Sequence, residues 1–288
     1  MSRTSFNELL EVGAHFGHMR SKWNPAMAPY IFAEKNGIHI IDLNKTVVKI
    51  EESANALKQI ARSGKKILFV ATKKQAKEIV AEKVKNIGMP FVTERWPGGM
   101  LTNFATIRKT IRKMAQIDKM TKDGTFTNIS KKERLNISRE RAKLEIQFGS
   151  IADLSRLPAA IFLVDVSKEH IAVAEAKRLN IPTFAIVDTN SNPNIVDYPI
   201  PANDDASTSI AYIIDVICKA VGEGLSDRKM DKDAQAAEEE KEKDSHVEAE
   251  ELAHSSVKVK DSLLKDDDGK SPVKKAGTRK RTTIPAKK

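Results

Sequence analysis

Two sets of side chains in this sequence have the types and spacing to do chemistry. The first lies in Gly13-Ala-His-Phe-Gly-His-Met-Arg-Ser-Lys-Trp-Asn-Pro25, which gathers His15, His18, Arg20, Lys22 and Trp23 into one irregular stretch. Guanidinium planes and aromatic rings take unstacked bases and cations take phosphates, so this composition suits RNA. The same rings could instead pack against a sheet, and the step from His15 to His18 could bring two imidazoles to one metal. The second set is acidic. Asp188, Asp204 and Asp205 could gather around a single divalent cation with His18 completing it. Carboxylate oxygens suit magnesium, and the histidine shifts the choice towards zinc. Capping and turn roles are the plain alternative for these aspartates.

Catalytic signatures are missing. Neither GxGxxG nor GxxxxGK[ST] occurs, so no Gly-rich loop cradles a phosphate, and there is no GxSxG elbow or HExxH helix. We assign no catalytic residue and, apart from that candidate cation, no cofactor. The chain reads as a binding protein and not as an enzyme.

A third feature is extended. From Thr102 to Met120 the residues Phe104, Ile107, Ile111, Met114 and Ile117 follow one seam, with Arg108, Lys109, Arg112, Lys113 and Lys119 off it. After a turn at Lys122-Asp-Gly-Thr125, a return arm from Lys131 to Phe148 offers Leu135, Ala142, Leu144 and Phe148 as its seam. Lys131, Lys132, Arg134, Arg139, Arg141 and Lys143 lie outside it. This spacing predicts an antiparallel coiled-coil hairpin. Charge on such helices is often only solvated, but acid is nearly absent from the outgoing arm before Asp118. Phosphate contact is the favoured reading.

The elements that must position these groups follow from apolar runs. Ala159 to Asp165 and Ile181 to Asp188 are apolar on both faces, as strands of a covered parallel sheet are. Between them, Ile171, Ala174, Ala176 and Leu179 form a helical stripe, which completes a right-handed βαβ unit. Upstream, a helix over Ser5 to Val12 precedes a strand at Ile38 to Leu43. A helix capped by Asn44 leads to a strand at Lys66 to Ala71. A helix capped by Thr72 leads in turn to a short strand at Pro90 to Thr93. A last helix from Asp205 or Ala206 ends at Val221, before Gly222 and Gly224. The expected fold is α/β: a doubly wound, mainly parallel sheet spanning residues 1–95 and 158–227, interrupted by the helical insertion at 96–157. The tail at 228–288, acidic and then basic with no apolar stripe, reads as disordered.

The 288 residues carry a formal net charge of +10, which favours a polyanionic partner. Cys218 is the only cysteine, so no internal disulfide forms and a reducing compartment fits. With no signal peptide and no long apolar run, we expect a soluble cytoplasmic protein without a membrane partner.

Several separated motifs occur in a fixed order: Gly13-Ala-His-Phe-Gly-His18, Ile40-Ile-Asp-Leu43, Phe69-Val-Ala-Thr-Lys-Lys74, Arg95-Trp-Pro-Gly-Gly-Met-Leu-Thr-Asn103, Val187-Asp-Thr-Asn-Ser-Asn-Pro193 and Ile200-Pro-Ala-Asn-Asp-Asp205. Together they closely resemble the family of the bacterial small-subunit ribosomal protein numbered two in the universal scheme, from about residue 3 to 227. The resemblance implies a flavodoxin-like sheet with a protruding helical hairpin, on the solvent side of the small subunit. It implies binding to small-subunit ribosomal RNA, late entry into assembly, and docking of the large ribosomal protein that captures messenger RNA, beside other small-subunit proteins. Gly98 and Gly99 would let the chain leave the sheet, and Thr102 or Asn103 would cap the first arm. Arg95 falls in the motif at that exit, and Arg108, Arg112 and Lys113 would meet phosphates.

Overall fold

The structure is a computed structural model that describes residues 3–123 and 130–233. Its elements, in order, are α1 (Phe6–Glu11), β1 (Phe16–Met19), β2 (Ile31–Lys35), β3 (Ile38–Ile41), α2 (Leu43–Arg62), β4 (Ile67–Val70), α3 (Lys74–Asn86), β5 (Phe91–Val92), α4 (Phe104–Lys122), α5 (Lys131–Phe148), β6 (Ala160–Val164), α6 (His170–Arg178), β7 (Thr183–Val187) and β8 (Tyr198–Pro201). A final helix, α7, runs over 207–233. The chain divides into two units, Met1–Asp231 and Lys232–Lys288. Nearly all of the second, and Gly124 and Thr125 of the expected inter-arm turn, lie outside the described residues.

A five-stranded parallel sheet forms the centre, in the order β5-β4-β6-β7-β8. Counted by sequence within the sheet this is 2-1-3-4-5, so the winding reverses between β4 and β6. Alternation along each strand makes two cores. Phe69, Phe162, Phe184 and Ile200 face α2, α3 and α7, while Leu68, Val70, Leu163 and Val187 face Met27, Trp96, Met100 and the root of α4 and α5. Phe69 and Phe162 pack with ring centroids 5.5 Å apart, and Phe184 stacks on Tyr198 at 4.4 Å.

Several expectations are corrected. Ile38–Ile41 is not the first strand of the parallel sheet; it is the centre of a separate antiparallel sheet, β1-β3-β2. Its exposed–buried alternation is that of a strand with one wet face. The turn from β2 is made by Asn36 and Gly37, both at positive φ, the geometry of a two-residue hairpin. The stretch from residue 13 to 25 is likewise not wholly irregular, since β1 lies within it. At the other edge β8 joins the parallel sheet although Tyr198-Pro-Ile-Pro201 carries two prolines. It pairs with β7 alone, so the missing donors cost nothing on its open side.

The caps also shift, by two residues at α2 and by one at α3. Asp42, not Asn44, caps α2 by accepting from Asn44 N, and Lys73 occupies the cap position of α3 without a side-chain bond. The last helix does not stop at Gly222 or Gly224. A Cβ on Gly224 would lie 2.4 Å from the Lys58 carbonyl oxygen, so this glycine admits α2 against α7 and does not end the helix. Residues 228–233, expected to begin the disordered tail, are helical.

In α4 the seam is as expected: Ile107, Met114 and Ile117 are buried, with Phe104 and Ile111 packed beside them. In α5 it is not. Leu135 is 50% exposed and Ala142 is exposed, and the line turned inward is Ile137, Arg141, Leu144 and Phe148. Arg141 reaches Asp118 of α4 at 2.6 Å, and Lys113 pairs with Glu140. An arginine holds a place where the sequence suggested an apolar side chain.

Candidate functional site

Four parallel strands end at one edge, and each delivers a polar side chain there. Beyond β4 comes Lys73, beyond β6 Asp165, beyond β7 Asp188, and beyond β8 Asp204 and Asp205. The carboxyl edge of a parallel sheet, beside its switch point, is where such folds place their ligands. His18 arrives from the antiparallel sheet. β1 approaches closely enough for His18 N to donate to Thr189 Oγ1 at 2.8 Å and for Asn24 N to donate to the Thr189 carbonyl at 2.8 Å. Gly17 makes this possible, because a Cβ there would stand 2.6 Å from Thr189 Cγ2.

Lys73 Nζ lies 2.8 Å from Asp204 Oδ1, 2.7 Å from Asp205 Oδ1 and 3.5 Å from Asp165 Oδ2. Burial alone would lower the Lys73 pKa, but hydrogen bonding to Asp204 and Asp205 and the surrounding charge hold it above its usual value. Burial, reinforced by Asp165 and Asp188, pushes the Asp204 carboxyl up to about 7 despite Lys73. Asp205 is the reverse case: burial opposes ionisation, but Lys73 and His18 hold it below the usual carboxylate range. His18 Nδ1 lies 3.0 Å from Asp188 Oδ2, and Nε2 lies 3.4 Å from Asp205 Oδ2. The bond to Asp188 raises the imidazole against its partial burial. Asp165 holds φ at 69°, an uncommon conformation for a non-glycine residue, and its Oδ1 accepts from Lys168 N at 3.2 Å. Thr72, expected as a helix cap, donates instead from its backbone N to Glu169 at 2.9 Å; burial raises that carboxyl.

A second buried carboxylate organises the exit to the insertion. Glu175 of α6 accepts from Trp96 Nε1 at 3.1 Å, Gly99 N at 2.8 Å, Leu101 N at 2.9 Å, and Thr102 N and Oγ1 at 3.1 and 3.2 Å. Burial would raise its pKa, but these bonds from Thr102, Leu101, Trp96 and Gly99 together hold it below the usual range. The Arg95-to-Asn103 motif is thus wrapped around one side chain. Gly99 takes a φ of 85°, whereas Gly98 does not have a positive φ. Asn103 occupies the cap position of α4 without capping it through its side chain. The expected α6 stripe is also corrected: Ile171 is 45% exposed, and the buried side is Ala172, Val173, Glu175 and Ala176.

The model of the family described as Ribosomal protein S2 matches residues 9–224. The chain belongs to the ribosomal protein S2 family. It is 62% identical over 269 residues to the small ribosomal subunit protein uS2 of Parabacteroides distasonis, covering 93% of this chain and 95% of that one. Over 240 residues it is 67% identical to uS2 of Phocaeicola vulgatus, covering 83% and 86%. Over 232 residues it is 66% identical to uS2 of Porphyromonas gingivalis, covering 81% and 83%. As a member of the S2 family the chain is a ribosomal protein and not an enzyme.

The residues singled out from sequence separate into three places in this S2-family fold. His18, Asp188, Asp204 and Asp205 converge at the sheet edge, but His15 does not join them. His15 lies with its ring 4.0 Å from that of Phe16, and burial lowers its pKa. Trp23 is 38% exposed with its ring 5.2 Å from His39. Arg20 pairs at 3.3 Å with Glu34, while Lys22 and Arg95 are exposed. On the helices, Lys109, Arg112, Lys131, Lys132 and Arg134 are exposed and Arg108 is half-buried. Arg108, Lys109 and Arg112 form no ion pair among the described residues, whereas Lys113 is engaged by Glu140. Lys73, Asp165 and Glu175 were not singled out. The first two could have been found from their positions just past apolar runs; Glu175 had no such signal. Among the described residues no helix is long and apolar enough to cross a membrane.

Proposed function

We propose that the chain is a structural constituent of the small ribosomal subunit that docks on ribosomal RNA chiefly through the outer faces of α4 and α5. The relatives' name, small ribosomal subunit protein, supports the placement. The observation that carries the RNA-binding part is charge without compensation. Arg108, Lys109 and Arg112 lie off the packed seam of α4 and form no ion pair among the described residues, while Asp118, Glu140 and Glu145 engage Arg141 and Lys113 between and along the arms. In this reading residues 96–157 are an antiparallel coiled-coil hairpin inserted in a flavodoxin-like domain made of 1–95 and 158–227. Phosphates meet Arg108, Lys109, Arg112, Lys131, Lys132 and Arg134, and such contacts position the protein without reading sequence. A second contact uses His15, Arg20, Lys22, Trp23 and Arg95, where the half-exposed indole offers a stacking face. The protein would work on ribosomes in the cytoplasm, enter assembly late, and help seat the large ribosomal protein that captures messenger RNA.

Binding to small-subunit ribosomal RNA across a salt series tests this. Replacing Arg108, Lys109 and Arg112 together with Ala should weaken binding and flatten the slope of log affinity against log salt by about one unit for each phosphate left without its cation. An unchanged slope would remove α4 from the interface.

A further inference from the structure

We propose that a groove across the amino edge of the parallel sheet holds a short unpaired segment of small-subunit ribosomal RNA, with one unstacked base seated between α2 and β8. Topology makes this edge. The helices α2, α3 and α6 run back against the strands, so their C-terminal ends lie on the side where β4, β5 and β7 begin. α7 ends there too, since Arg62 at the close of α2 pairs with Asp231 at 2.9 Å. Two adjoining cavities of about 680 and 550 Å³ open on this edge and share Ile60, Asn180, Ile181 and Pro182. Both are within the size range of clefts that take small ligands.

Charge selects the ligand. At the carboxyl edge Asp165, Asp188, Asp204 and Asp205 face only Lys73 and His18, an arrangement that repels a polyanion. At the amino edge the excess is reversed: Lys65, Arg156, Lys177 and Arg178 are exposed and form no ion pair among the described residues. Cations at the end of a helix offset its dipole, and Lys177 and Arg178 do so for α6. Lys65 and Arg156 lie in loops, where that role does not account for them. Of the acids nearby, Asp231 is engaged by Arg62 and Asp153 lines a separate cavity beside β5. Lys65 lines the smaller cavity of the groove and Lys177 the larger. Tyr198, half-buried and stacked on Phe184 at 4.4 Å, supplies an aromatic wall. Cations for phosphates beside an aromatic and apolar lining are the combination that holds single-stranded nucleic acid, whereas a duplex has no free base to offer such a cavity. Asp197 lines the larger cavity with Oδ2 accepting from Thr183 N and Oγ1, each at 2.8 Å. A carboxylate there turns away a phosphate and accepts from the exocyclic amine of a base, which sets the base inward and the phosphates towards Lys65 and Lys177.

The proposal rests on the RNA-binding reading above but uses a separate surface, so its test is run in the parent and in the Arg108, Lys109 and Arg112 triple-Ala background. Fluorescence anisotropy follows binding of a labelled ten-nucleotide cytidine strand, and of a ten-pair RNA duplex, to the full chain across a salt series. Lys65→Ala with Lys177→Ala should weaken strand binding at least fivefold in both backgrounds and lower the salt slope by about 1.4, at roughly 0.7 for each lost contact. Ala56→Phe fills the larger cavity without touching charge. It should weaken strand binding at least fivefold while leaving the salt slope and duplex binding unchanged. Circular dichroism reports its folding, and the exposed lysine pair does not depend on that outcome. Ultraviolet crosslinking of assembled small subunits should then leave a nucleotide of the ribosomal RNA on the segment 177–198. Loss of strand binding in the hairpin variant with none from the lysine pair would overturn the groove and leave the hairpin reading standing. Equal losses of strand and duplex in a folded Ala56→Phe chain, or crosslinks from 177–198 to protein or messenger RNA alone, would overturn it as well.

Discussion

Glu175 and Asp204 are both buried carboxylates, and they are built in opposite ways. Glu175 accepts five hydrogen bonds from Trp96, Gly99, Leu101 and Thr102, and its pKa is held low. Asp204 stands among Asp165, Asp188 and Asp205 with Oδ2 bare, and its pKa is pushed up to about 7. A carboxylate saturated by donors closes a loop and is finished. One crowded by its own kind and short of a donor carries the cost of its neighbours' charge. The contrast shows that burial alone does not set the state of a carboxylate: donors hold Glu175 low, and like charge helps push Asp204 up.

The largest effect that could break this contrast is at Glu175. Glu175→Gln places an amide donor against donors that now share one carboxylate, and should destabilise the fold by about 3 kcal/mol in urea unfolding. A loss under about 1 kcal/mol would mean that the Arg95-to-Asn103 loop is held by something else. The same carboxylate sets a pH dependence. Its folded pKa lies below its unfolded one, so its contribution is full above the ordinary value near 4.5 and fades as pH falls through the lowered folded value. Stability of the parent should therefore fall on acidification below that point more steeply than that of Glu175→Gln, as read by thermal melts at stepped pH.

Next in size is Gly17→Ala, whose Cβ would meet Thr189 Cγ2 at 2.6 Å and Thr189 Oγ1 at 2.8 Å. About 2 kcal/mol of stability should be lost as β1 is pushed off the β7 loop. Asp204→Asn should have the smallest effect. It should change stability by no more than about 1 kcal/mol, because it removes a crowded charge along with one bond to Lys73. Equal losses at Glu175 and Asp204 would erase the distinction.

The buried strands were legible because a covered parallel strand needs unbroken apolar runs, as at Ala160–Val164 and Thr183–Val187. The edges were not. β8 hides behind two prolines that only an edge position tolerates, and β1 behind a mixed polar stretch. The hairpin of β2 and β3 was marked by Asn36-Gly37 between alternating residues, a signal that a reading centred on buried runs passes over. At the site, Asp188, Asp204, Asp205 and His18 could be gathered from sequence because strand ends share an edge. Lys73, just past β4, carries the same strand-end signal, but Glu175 could not be placed inside the loop, because only tertiary packing brings a helix to a distant backbone. Arg141 shows the same limit, since its place in the seam depends on Asp118 in the other arm.

The most direct measurement is co-sedimentation of the full chain with small ribosomal subunits through sucrose gradients at moderate and then high salt, for the parent and the Arg108, Lys109 and Arg112 triple-Ala variant. The parent should migrate with the subunit, high salt should weaken this, and the variant should be released at lower salt. Free migration of the parent at both salts would contradict it, and so would a parent and variant released together.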